Sequence, residues 1–194
     1  MSLKIKNLKK SFDEKAIFDG FSFDFTDRGI YALSGESGVG KTTLLRIIAG
    51  LDTDYSGEVT GGGKGAVSIA FQEHRLFPQL SAVQNVVFSI SDGKDKAVCE
   101  KACQILSRLG FSEADIKLLP DALSGGMKQR VSLARAFIKD TPILLLDEPT
   151  KELDTHNATV VREMIREASK TRLIILATHS AEDIEALGAE IISI

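Results

Sequence analysis

The residues Gly35-Glu36-Ser37-Gly38-Val39-Gly40-Lys41-Thr42 fit the pattern G-x-x-x-x-G-K-[ST]. That combination suits the binding of a polyphosphate. Glycines let the backbone wrap closely around phosphate oxygens, at φ values other residues resist. Successive N–H groups and the N-terminus of a following helix offer partial positive charge to the anion. Lys41 adds a full charge for the β- and γ-phosphates, the Thr42 hydroxyl suits Mg²⁺, and Thr43 continues the first turn. A random chain of this length matches the pattern at roughly the one-per-cent level. Residues 30–34 before it read as a buried strand, and residues 41–49 behind it as an apolar-periodic helix ending at Gly50, the context the motif requires. Nucleotide binding is the expectation.

A second chemical feature is the apolar run Ile143-Leu144-Leu145-Leu146 followed by Asp147-Glu148. A hydrophobic strand would deliver Asp147 rigidly to a sheet edge, where ligands gather in open α/β folds. Beside a phosphate cradle, Asp147 is the expected Mg²⁺ partner, and Glu148 is placed to orient or deprotonate an attacking water. Taken alone, the same pair would read as a solvated acidic turn before Pro149.

These groups need a scaffold, and the pattern of the chain supplies one. Short β-like runs alternate with helical patterns, as in a mostly parallel sheet covered by helices. Near the start, Leu3 and Ile5, then Phe21, Phe23 and Phe25, alternate with polar residues, which predicts an antiparallel β-subdomain with one wet face. Gly61-Gly62-Gly63 marks a turn before a strand at 66–71. From about residue 77 to 125 the pattern turns helical without strands, predicting an inserted helical subdomain within one domain spanning 1–194. Ser81 and Gln84 resemble a capping box, and Val98, Ala102, Ile105, Leu106 and Leu109 form one helical face closed by Gly110. Strands are expected again at 143–147, 173–178 and 191–194. Between the first two, a helix carries Val160, Val161, Met164, Ile165 and Ala168.

Composition sets the outer limits. The 194 residues suit one compact domain, and 43% hydrophobic with 26% charged residues is ordinary for a globular protein. A net charge of −3 argues against a basic nucleic-acid surface. The apolar runs are too short to cross a bilayer, and no signal core follows Lys4, Lys6, Lys9 and Lys10, so membrane association is expected through a partner. Cys99 and Cys103, four apart on a predicted helix, read as small buried or half-buried thiols in a reducing cytosol, because a zinc site needs further ligands.

The segment Leu123-Ser124-Gly125-Gly126-Met127-Lys128-Gln129-Arg130 narrows the choice among nucleotide-binding folds. Ser124 can cap a helix whose apolar face is Met127, Val131, Ala134 and Ile138, and the two glycines leave backbone N–H groups accessible. That makes a second helix N-terminus suited to phosphate. One triphosphate needs one cradle, so a second anion site makes sense if it closes over a neighbour's nucleotide. The segment resembles the LSGGQ-type signature of ABC ATPases, with Met127 in place of the usual first Gln.

The resemblance covers nearly the whole chain and implies an ATPase dimer, with ATP and Mg²⁺ between one subunit's phosphate loop and the other's Ser124, Gly125 and Gly126. It implies that Gln72 is the Q-loop glutamine, touching Mg²⁺ or the attacking water, and that His179 is the switch histidine at the γ-phosphate. Asp154, in Glu152-Leu153-Asp154, falls in the D-loop crossing the dimer interface, and Phe12 is placed to stack on adenine. Catalysis would rest on Glu148, His179, Gln72 and Lys41. Lys151-Glu152 departs from the family pattern, which begins this loop with small residues. Only 15 residues follow His179, which predicts no appended regulatory domain.

Of the function classes, an energy subunit docking on a transmembrane permease through the helical subdomain, peripheral on the inner face of the membrane, fits best. Chromosome-acting relatives carry a long coiled coil between Q-loop and signature, whereas Gln72 and Ser124 are 52 positions apart. Ribosome-acting types usually join two cassettes in one chain. A small-molecule kinase would leave the signature unexplained. Phe71-Gln72-Glu73-His74-Arg75-Leu76-Phe77-Pro78 together with Leu123–Arg130 is similar to bacterial import ATPases of the nitrate, sulfonate and taurine group, which brings a solute-binding protein into view as a further partner.

Overall fold

The structure is a computed structural model that describes residues 2–13, 15–90 and 95–194. Within the predicted helical stretch 77–125, residues 91–94 lie outside the described residues. In chain order the first elements are β1 (Lys4–Phe12), β2 (Lys15–Asp24), β3 (Gly29–Ser34), α1 (Lys41–Ile48), β4 (Ser56–Thr60) and β5 (Val67–Ala70). Then come α2 (Ala82–Phe88), α3 (Lys96–Arg108), α4 (Gly125–Phe137), β6 (Ile143–Asp147), α5 (Thr155–Ala168), β7 (Leu173–Ala177), α6 (Ala181–Leu187) and β8 (Glu190–Ser193). The strand expected at 143–147 has those bounds, and those expected at 30–34, 66–71, 173–178 and 191–194 differ by one residue at one or both ends, where pairing rather than apolar pattern decides.

One compact unit comprises Met1–Ile69, Thr141–Asp147 and Ile165–Ile194. It holds a three-stranded sheet of order β2-β1-β4, antiparallel throughout, and a five-stranded sheet of order β5-β6-β7-β3-β8. β3 runs parallel to both β7 and β8, and β6 parallel to β7. β6 and β7 are buried at every residue, which is why they read as continuous apolar runs. β1 has one buried and one exposed face, with Ile5 and Leu8 inside and Lys6 and Lys9 outside, and a register shift between Ile5 and Leu8 interrupts the alternation. Lys10 turns inward: its Nζ stands 3.0 Å from Asp52 Oδ1 and 2.6 Å from the Asp54 carbonyl. Burial lowers its pKa, but hydrogen bonds and charge from Asp52 and Asp54 more than offset this and leave it raised. α1 packs on β6 and β7 through Leu44, Leu45, Ile47 and Ile48. Phe23, Phe25 and Tyr31 meet edge to face, with centroids 4.7 to 5.7 Å apart.

The second unit comprises Ala70–Asp140 and Glu148–Met164. α2 packs on α3 and α4. Ser81 and Gln84 form the reciprocal capping box at the start of α2. Ala102, Leu106 and Leu109 are buried along α3, with Gly110 beyond its end at φ 81°. The organising polar group is Asn85, fully buried on α2. Its Nδ2 donates to the carbonyls of Phe77 (3.2 Å), Leu80 (2.8 Å) and Ser81 (3.1 Å), and its Oδ1 accepts the Phe77 N–H at 2.8 Å. One amide thus satisfies the turn leading into α2. Replacing Asn85 by Ala strips these partners from buried groups, so we expect a loss of about 2 to 3 kcal/mol in denaturant unfolding.

Candidate nucleotide site

In the first unit, β3 ends at Ser34 and residues 35–40 turn the chain into α1. Gly40 has φ 120°, and a Cβ there would run into Ile17 and Phe18, so the turn closes only with glycine. The buried Lys41 donates from Nζ to the carbonyls of Gly35 at 2.7 Å and Glu36 at 2.9 Å, which places its ammonium over the loop. The helix ends differ in a telling way. Side chains of Ser81, Asp95, Ser124 and Ser180 cap α2, α3, α4 and α6, while no side chain caps α1. Leu44 N–H reaches the Gly40 carbonyl, so the N–H groups of Lys41, Thr42 and Thr43 remain for an external anion. A triphosphate fits this cradle.

Strand register brings the other groups to the same sheet edge. Leu33 and Asp147 both pair with Ala177, so β3, β7 and β6 reach the same level at their carboxyl ends. Asp147 is buried, and Thr42 Oγ1 donates to its Oδ2 at 2.8 Å. Two hard oxygens suit Mg²⁺, which takes few protein ligands and keeps water and substrate phosphate for the rest. Among the described residues no group of three His, Cys, Asp or Glu forms a metal cage. Cys99 and Cys103 are half-buried on α3. His179 lies exposed, two residues beyond β7. Phe12 is 50% exposed at the end of β1, with Lys10 Nζ 4.8 Å from its ring centre, so it is not core filling.

In the second unit, Gln72 is exposed and Glu148 half-buried. Glu148 has φ 49°, a conformation uncommon outside glycine and often found at functional sites. Ser124 caps α4 by accepting the Met127 N–H at 3.2 Å. The two glycines after it do more than expose N–H groups. A Cβ on Gly126 would stand 2.8 Å from the Glu152 carbonyl oxygen, and one on Gly125 2.8 Å from Glu152 Oε2. The loop 150–154 of the same chain therefore fills the space that the glycines leave.

Several positioning contacts are not visible in the motifs. Gln129 is buried and donates to the carbonyls of Glu148 at 3.3 Å and Pro149 at 3.4 Å. Arg130 donates to the carbonyls of Leu109 (2.6 Å) and Gly126 (3.2 Å) and to Asn157 Oδ1 (3.0 Å), and lies 5.2 Å from the Phe111 ring centre. Asn157 in turn donates twice to Asp154, from N–H at 2.9 Å and Nδ2 at 2.6 Å. Those two bonds hold the Asp154 carboxyl below the usual range. The sequence places Gln129 and Arg130 in the segment 123–130 but gives no sign of these partners, which lie up to 27 positions away.

A parallel sheet with an uncapped phosphate loop and an acidic strand end defines a P-loop nucleotide-binding protein. The ABC transporter family model matches residues 18–151, and the chain belongs to that family. It is similar to the aliphatic sulfonates import ATP-binding protein SsuB of Corynebacterium glutamicum, 35% identical, with 97% of this chain and 78% of that protein covered. It is also similar to the thiamine import ATP-binding protein ThiQ of Rhizobium meliloti, 38% identical, covering 98% and 84%. Among solved structures, a dimeric post-hydrolysis ATP-binding cassette bound to ADP and Pi superposes with a TM-score of 0.86 at 25% identity, covering 99% of this chain and 94% of that one. The chain is thus an ATP-binding, ATP-hydrolysing subunit of an ABC transporter.

The glycine geometry makes a direct test. Gly126→Ala places a methyl against backbone that cannot swing aside, so thermal unfolding should register a loss of about 1 to 3 kcal/mol. Gly38→Ala meets nothing within 4 Å and should cost only the strain of its φ of 80°, about 1 kcal/mol.

Proposed function

We propose that the chain powers a bacterial solute importer as a dimer of composite ATP sites, with Mg²⁺, peripheral on the inner membrane face through a permease. The observation that carries this reading is the pair of helix N-termini suited to phosphate, α1 in one unit and α4 in the other. One triphosphate does not need both within a chain, and the dimeric cassette among the solved neighbours supports pairing across two chains. Residues 1–194 act as a single ATPase domain in this reading.

Lys41 and the N–H groups at the start of α1 hold the β- and γ-phosphates. Phe12 stacks on adenine. Thr42, Asp147 and Gln72 would hold Mg²⁺, which supplies charge neutralisation between the phosphates. Glu148 orients the water whose oxygen bonds to the γ-phosphorus as the bond to the ADP oxygen breaks, and accepts its proton. His179 and the partner's α4 end, with Ser124, Gly125 and Gly126, bind the oxygens over which charge spreads. Asp154, held by Asn157, lies at the dimer contact.

The named functions of the relatives support import. One carries sulfonate, an anion, and another thiamine, a cation, so similarity in the ATPase does not select the solute. A solute-binding protein and the membrane subunits would choose it. No described helix is long and apolar enough to cross a membrane. The apolar cleft of Leu80, Val83, Val87, Phe88, Cys99 and Cys103, flanked by exposed Phe77, suits a docking permease helix.

Two experiments test this reading. Glu148→Gln should bind ATP, hydrolyse it at least about 100-fold more slowly and accumulate as a dimer by light scattering; normal turnover removes the assigned role. Pull-down of the tagged chain from detergent-solubilised membranes should yield a stoichiometric multi-span protein. Soluble partners alone would overturn transport.

A further inference from the structure

We propose that Lys10 is a positioning residue for the nucleotide base: it holds the Phe12 ring from one side and ties it to the helix that carries the phosphate cradle. This rests on the reading of Phe12 as the residue that stacks on adenine. Phe12 closes β1 and is 50% exposed. Lys10 Nζ lies over its ring, 4.8 Å from the centre. A flat ring has two faces for stacking, and the ammonium takes one of them. The surface that solvent still reaches is left for a base.

The ammonium has little freedom of its own. Only 3% of the Lys10 side chain is exposed. Its Nζ donates to Asp52 Oδ1 at 3.0 Å, to the Asp54 carbonyl at 2.6 Å and to Asp54 Oδ2 at 3.3 Å, three acceptors for its three protons. These partners are anchored in turn. Asp52 N–H donates to the Arg46 carbonyl in the last turn of α1 at 3.3 Å, and Asp52 Oδ1 accepts the Asp54 N–H at 3.1 Å. The first turn of α1 carries Lys41 and Thr42. Lys10 therefore links the ring at the end of β1 to the far end of the helix that holds the phosphates. A cation at a ring face is attracted by the ring's quadrupole, which restrains the ring before any nucleotide arrives. A ring already ordered loses less freedom when a base stacks on it. An ion pair that only stabilised the fold would need the aspartates but not the ring, and its loss would weaken every ligand of the phosphate loop alike. A positioning role affects the base alone.

The test compares two ligands on the full chain by titration calorimetry with Mg²⁺: ATP, and inorganic tripolyphosphate, which offers phosphates without a base. Lys10→Met removes the ammonium, and Asp52→Asn is combined with it so that no lone carboxylate is stranded. This pair should raise the Kd for ATP about three- to tenfold and leave that for tripolyphosphate within about twofold. KM for ATP should rise with kcat retained, as for a contact made equally in the ground and transition states. Lys10→Gln keeps a donor for the aspartates without the charge, folds with its partners satisfied, and should shift ATP in the same direction. In a Phe12→Ala background neither change should weaken ATP further. An unchanged Kd for ATP, or equal weakening of both ligands, overturns the proposal. Phe12→Ala alone separates the two levels of inference. If it leaves the preference for ATP over tripolyphosphate intact, Phe12 does not stack on adenine and this proposal falls with it. If it removes that preference while the Lys10 variants keep it, only the role of Lys10 is lost.

Discussion

The 2.8 Å hydrogen bond from Thr42 to Asp147 ties the first turn of α1 to the end of β6. A buried carboxylate is costly unless partnered, so its position must be fixed to within hydrogen-bonding tolerance. Much of the first unit serves that requirement. Leu144, Leu145 and Leu146 have no exposed surface, which locks β6 in register. β7 lies between β6 and β3, and the shared pairing of Leu33 and Asp147 with Ala177 levels the strand ends. α1 packs on β6 and β7, so its amide end cannot drift from the carboxylate below it. A rigid apolar interior thus sets the spacing of a few polar atoms at its rim.

The second theme is how the chain treats its helix ends. Exposed amides at an N-terminus are satisfied locally by Ser or Asp wherever nothing else is needed, as at α2, α3 and α6. At α1 the capping position is Gly40, which has no side chain to donate oxygen. At α4 the arrangement is mixed, with Ser124 satisfying one amide and the following glycines leaving two. Local stability is given up at α1 for a ligand site.

The contrast between sequence and structure follows from the range of the interactions. Continuous apolar runs such as residues 143–146 announce a buried parallel strand, because burial on both faces leaves no polar alternation. The phosphate loop is legible because its function is carried by local backbone and adjacent residues. The capping box of Ser81 and Gln84 is equally local. The partners of Asn85, Gln129 and Arg130 were opaque for the opposite reason. Asn85 satisfies a turn through four hydrogen bonds, and Arg130 reaches Leu109 and Asn157, 21 and 27 positions away. Their side chains look like ordinary polar helix residues until tertiary structure supplies partners. Lys10 is one of four lysines along the first alternating segment, and register shifts in β1 turn it inward against Asp52. Periodicity cannot foresee a register shift.

Asp147 and Glu148 are neighbours in sequence but are anchored differently. Asp147 closes a strand buried at every position, and its carboxylate is held by Thr42. At Glu148 the backbone enters the left-handed region, and the Gln129 amide donates to its carbonyl. The turn ends the strand alternation, so the two carboxylates need not share a direction or a partner. The division between the compact units falls at this peptide. Asp147 is therefore braced by the packing of the sheet, and Glu148 by α4.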